Sequence, residues 1–84
     1  MNIDNGDRVY VRKGQRVVGG FIKGNTRYCI QAPAFHTNPQ GEQEYVVTDR
    51  HHPDHNGEPS IVASCPTPDA AFELIEGYIA RDAT

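Results

Sequence analysis

Apolar and polar residues alternate through the first third of the chain, and short turn signals break the alternation twice. RVYVRK (8–13), RVVGGFIK (16–23) and TRYCIQA (26–32) read as strands. Gly14-Gln15 and Gly24-Asn25 separate them, and glycine beside a polar residue between strand-like runs predicts tight hairpins, because such turns need positive φ. PAFHTNPQGEQ (33–43) follows as a loop, EYVVTD (44–49) as a fourth strand, RHHPDHNGEP (50–59) as a second loop and SIVASC (60–65) as a short fifth strand. From Thr67 the period changes from two to that of a helix. Thr67 suits the N-cap, Pro68 the first helical position and Asp69 the positive helix start. Ala71, Phe72, Leu74, Ile75, Tyr78 and Ile79 form one apolar stripe, and Gly77 within it reads as a place where the helix approaches the sheet closely. The fold class expected is α+β, with an antiparallel sheet of four to five strands, the N-terminal meander first, and one C-terminal helix packed on one face.

Two-residue turns fix the register, so the faces of the meander can be assigned. Lys13 is placed opposite Arg16, and Lys23 opposite Thr26. One face then carries Val9, Val11, Val18, Ile22 and Cys29. The other carries Tyr10, Val17, Phe21, Tyr28 and Ile30 together with Arg8, Arg12 and Lys23. A bulge at Gly19-Gly20 would flip part of the second strand and blur this division. One helix covers one face only. If the aliphatic face packs inward, an aromatic and basic surface remains; if the aromatic face packs inward, the aliphatic patch left over marks an oligomer or a partner. A third arrangement has the long loops cover whatever remains. The first of these supplies the expected binding set: Arg8, Tyr10, Arg12, Phe21, Lys23 and Tyr28. Tyr and Arg are the residue types that most often dominate interface energy.

Eighty-four residues make a single domain, 1–84, with room for one sheet and one or two helices and little for a deep catalytic cleft. No apolar run approaches the ~20 residues of a membrane span, and MNIDNGDR lacks the regions of a signal peptide, so the expected location is cytoplasmic and no membrane partner is expected. In a reducing compartment Cys29 and Cys65 read as small core hydrophobes rather than a disulfide. The net charge of −3 divides unevenly. Residues 1–32 hold six Lys or Arg against two Asp, and residues 33–84 hold two Arg against nine Asp or Glu. The plain reading of that asymmetry is two solvated faces of opposite sign; the sharper one is a basic sheet surface beside an acidic helix, each able to steer a different partner.

VVTDRHHPDHNGE resembles the signature of the metallo-β-lactamase superfamily, a strand followed by T-H-x-H-x-D-H-x-G. Thr48, His52, Asp54, His55 and Gly57 match, with one extra residue after Thr48. Such a cluster works by sharing two metal ions among closely spaced ligands. Here Arg50, a permanent cation, occupies the first histidine position, and the family's fold is far larger. A simpler site would gather His36, His51, His52, Asp54 and His55 round one zinc. The reading preferred is a polar connection with His-Pro-Asp and Asn-Gly turns, hence no metal, cofactor or catalytic residue. Cys29 can be drawn as a nucleophile beside a histidine, but nothing in the sequence places the two together. The glycine pairs are not followed by a helix start, so they form no phosphate loop.

The meander (8–32) is loosely similar to the sheet-reading DNA-binding domains of phage integrases, and SCPTPDAAFELIEGYI (64–79) to HicB-like antitoxins. In size, acidity and lack of a catalytic set, the chain is similar in kind to small phage-encoded inhibitors of bacterial defence, such as anti-CRISPR proteins. The function expected first is therefore a non-enzymatic protein-binding module, an inhibitor of such a complex acting by surface occlusion. Its partner is a protein, with a homodimer among the possibilities. A nucleic-acid binder using the basic aromatic face comes second, disfavoured by the acidic C-terminal half. A small zinc protein comes third.

Overall fold

The computed structural model describes residues 5–83. Residues 1–4, the start of the stretch read for a signal segment, and Thr84 lie outside the described residues. A short 3-10 turn (Asn5–Asp7) leads into five strands, β1 (Arg8–Lys13), β2 (Arg16–Ile22), β3 (Asn25–Gln31), β4 (Tyr45–Pro53) and β5 (Pro59–Cys65), and one helix, α1 (Pro68–Asp82). The strands form one antiparallel sheet in the order β1-β2-β3-β4-β5, and α1 packs against it. The α+β class is as the periodicity indicates, with the fifth strand present. β4 runs on through Arg50, His51, His52 and Pro53, in place of the loop expected from residue 50.

The first hairpin turns at Gly14-Gln15 as expected. The second turns one residue early, at Lys23-Gly24, where Gly24 takes φ 82°. The register is altered more deeply by two irregularities. Arg12 lies opposite Val17 but Val11 opposite Gly19, so Val18 is bulged out and the rest of β2 changes face. A second shift separates Phe21, opposite Cys29, from Ile22, opposite Asn25. Ile22 therefore joins Tyr10, Tyr28 and Ile30, while Phe21 joins Val9 and Cys29.

The helix covers the face that carries the tyrosines. The row Tyr10–Gly20–Ile30–Val47–Ala63 crosses all five strands beneath it. Ala71, Phe72 and Ile75 are buried on this row, and Tyr78 and Ile79 pack at its border. Phe72 seats its ring over Gly20 and meets Tyr10 edge-on, with centroids 4.9 Å apart. Thr67 caps the helix in extended conformation, and its Oγ1 accepts a hydrogen bond from Ala70 N at 3.1 Å. Leu74 and Gly77 face solvent, so the reading of Gly77 as a close-approach point is corrected: open space surrounds the place a Cβ would occupy.

Two polar clamps fasten the helix at its ends. Arg8 donates from Nε to Glu76 Oε1 at 2.6 Å and lies 3.7 Å from Asp69, which accepts from the Tyr10 hydroxyl at 2.6 Å. At the other end Arg27 holds Asp49 through two parallel hydrogen bonds of 3.0 and 3.1 Å and reaches Asp82 at 3.2 Å. Asp82 also accepts from the Tyr28 hydroxyl at 2.7 Å. Asp49 is buried, and the Arg27 hydrogen bonds hold its carboxyl below the usual aspartate range despite that burial.

Candidate protein-docking face

The six residues expected to form one binding surface are dispersed by this arrangement. Tyr28 is only 1 % exposed, packed on Tyr78 and the core, and Tyr10 is half-buried against Phe72. Arg8 is drawn under the helix into its ion pairs. Phe21 lies on the opposite face, Lys23 sits in the exposed β2–β3 turn, and Arg12 stands at the rim with its guanidinium over the Tyr10 ring. The aromatic and basic face is thus the covered one. The cause is the Val18 bulge, which gives Gly20 the place that Phe72 needs and brings Ile22 rather than Phe21 inward.

What the helix leaves is the aliphatic face, partly open on β1 to β3 and on β5 but closed on β4, where Val46 and Thr48 are buried. The register aligns Val9 with Phe21, Phe21 with Cys29, Cys29 with Thr48 and Thr48 with Ile61, one row spanning every strand. Val9, Phe21 and Cys29 are half-buried, while Ile61 is 56 % exposed. Val11 beside the row and Val62 on the outer strand are exposed too. Thr48 is buried, and its hydroxyl donates to the Cys29 carbonyl at 3.3 Å. Ile61, Val62 and Phe35 were absent from the expected set. The alternation of SIVASC and a lone aromatic in the polar loop were the signals that pointed to them.

The loop between β3 and β4 is built to one end of this face. Gln43 Nε2 lies 2.7, 3.1 and 2.9 Å from the carbonyl oxygens of Pro33, His36 and Glu44, and its Oε1 accepts from Arg16. His36 N closes a turn on Pro33 O at 3.0 Å, and His36 Nε2 lies 3.3 Å from Ser64 Oγ. The turn holds Phe35 outward, 89 % exposed. Below it an open groove of about 420 Å³ is lined by Pro33, Phe35, Thr48, Pro59 and Ile61, with Asp54 and Glu58 at its rim.

Other chemistry is sparse. A recess of about 260 Å³ is lined by Thr26, Arg27, Arg50 and His51, a cationic hollow on the turn side of the sheet. His52 Nε2 is 3.8 Å from Asp49, and the Asp54 carboxylate accepts from Asn56 N and Glu58 N within its own turn. Among the described residues, no three His, Cys, Asp or Glu side chains gather in a group that could hold a metal ion. Both cysteines are free thiols. Cys65 is buried, and burial raises the thiol pKa of each, with Arg50 opposing the rise at Cys29. Among the described residues no helix is long and apolar enough to cross a membrane. Comparison with protein-family models, curated proteins and solved structures yields no match.

Proposed function

We propose that the chain is a non-enzymatic protein-binding module that works by covering a partner's surface, as small phage-encoded inhibitors of bacterial defence complexes do. Its working surface is the helix-free face of the sheet. The observation that carries this reading is the row Val9–Phe21–Cys29–Thr48–Ile61 on the side the helix does not take, where Val9, Phe21 and Cys29 are half-exposed and Ile61 is exposed, with Thr48 buried between them. Contiguous apolar surface of this kind is what partners dock on. Stacking of nucleic acid on the expected set is disfavoured, because Tyr10 and Tyr28 spend their rings on Phe72 and Tyr78, although Phe35 presents an open ring. The raised Cys29 thiol pKa lowers its thiolate fraction, which disfavours a role as nucleophile.

Affinity capture from lysates of candidate host cells tests the reading with three baits: the wild-type chain, Val11→Glu on the open face and Glu73→Lys on the exposed side of the helix. The expected result is a protein retained by wild type and Glu73→Lys and lost with Val11→Glu, all three baits melting alike. Equal retention by Val11→Glu would overturn it.

A further inference from the structure

The open face has the features of a surface that fits itself. It carries a protruding apolar knob, Phe35, and beside it an open groove of mixed lining, apolar at Pro33, Pro59 and Ile61. It also carries opposite charges at opposite corners. Lys13 and Arg16 stand exposed at the β1–β2 turn, on the same side of the sheet as Val9 and Val11. Asp54 and Glu58 rim the groove at the β4–β5 turn, diagonally across the sheet. None of these four makes an ion pair among the described residues, though Arg16 donates to Gln43 Oε1 and Asp54 accepts from Asn56 N and Glu58 N. An isologous two-fold contact makes every complementary pair twice. A second copy turned over onto this face can set each basic corner against the other's acidic corner.

We infer that, in the absence of another partner, the helix-free face closes on a second copy of this chain, knob to groove and basic corner to acidic corner. The inference rests on the reading of this face as a protein-binding surface and names its first occupant. A foreign partner then competes with the second copy, so the dimer opens before the partner is covered. The clamped acidic helices face outward in the dimer and take no part in closure.

Sedimentation velocity from low to high micromolar concentration tests this on the intact chain. Wild type is expected to pass from monomer to dimer. Ile61→Asp should raise the dissociation constant roughly thirtyfold or more, the scale of an interface hot spot. Lys13→Glu should raise it severalfold, because it sets like charges together at the corners. Should Ile61→Asp lose its cooperative melt, Phe35→Ser gives the same test from outside the sheet. A monomer at every concentration overturns the inference, as does a dimer that neither substitution on this face weakens. If wild type stays monomeric while Ile61→Asp still abolishes capture from lysate, the binding-module reading stands and the occupant is a foreign protein. If capture is unaffected as well, both fall.

Discussion

A Cβ placed on Gly20 would stand 2.7 Å from Phe72 Cζ and 2.7 Å from the Val9 carbonyl oxygen. The absence of a side chain there is what lets the Phe72 ring descend onto the sheet. Gly20→Ala is expected to cost about 1–3 kcal/mol, in the range of core overpacking. Phe72→Ala should cost about 3–5 kcal/mol, the range for truncating a buried phenylalanine. In the Phe72→Ala background the added cost of Gly20→Ala should shrink, since the ring clash is gone and only the Val9 contact remains. Urea denaturation of wild type, the two single variants and the double variant measures this non-additivity. Gly77 is the contrasting glycine: it is exposed, helical and surrounded by open space. Gly77→Ala should therefore stabilise the protein by about 0.8–1 kcal/mol, the helix-propensity difference, and a loss of stability would show that the helix packs through that position. These residues mark where the sequence could be read. Apolar period and cap chemistry identify Phe72, Ile75 and Thr67 correctly. Spacing alone does not tell a glycine under a ring from a glycine in solvent.

At the level of elements, the strands and helix follow the alternation closely, and the error enters through one extra residue. The glycine pair marks this strand for a bulge, as expected, but the extra residue is Val18, one position before Gly19-Gly20, and its own side chain gives no sign of it. The stress that favours the bulge is tertiary. With strict pairing Gly20 would turn away from Phe72, and Phe21 would be driven under the helix. The helix also depends on its charged ends. The carboxyls of Asp49 and Asp82 are held below their ordinary range, the first chiefly by Arg27 and the second chiefly by the Tyr28 hydroxyl. An unfolded aspartate titrates near roughly 3.9. The folded chain therefore binds fewer protons below neutrality, and this contribution is complete above that value and lost as pH falls through the folded values. The urea midpoint should be level from neutral pH down to about 5 and decline below about 4. Asp49→Asn should lower the plateau and flatten the decline, and an unchanged acid slope in that variant would remove Asp49 from the account. The loop carries its own staple. Gln43→Ala should speed hydrogen exchange at the His36 amide, which closes the turn on Pro33, while leaving the sheet amides protected.

For the whole molecule, the basic first third and acidic remainder meet through the clamps, where Arg8 and Arg27 of the sheet hold Asp69, Glu76 and Asp82 of the helix. Part of the sequence's charge asymmetry is spent inside the fold, which is why it was a poor guide to the working surface. That the sheet has two candidate open faces was legible from the alternation, but Phe21 and Ile22 were each expected on the wrong one. Which one the helix takes was not legible, because that choice turns on the bulge and on Gly20. The central claim is that the aliphatic face is where this protein meets others, and Cys29 sits in the middle of that row while Cys65 is buried under the helix. The two thiols make a built-in footprint. Alkylation of each can be followed by mass spectrometry in dilute protein, in concentrated protein and in a complex captured from lysate. The account predicts that Cys29 reacts faster than Cys65 in the dilute chain and is selectively slowed when a second copy or a partner covers the face. A Cys29 rate unchanged by association, with dimer or complex demonstrably formed, would contradict it.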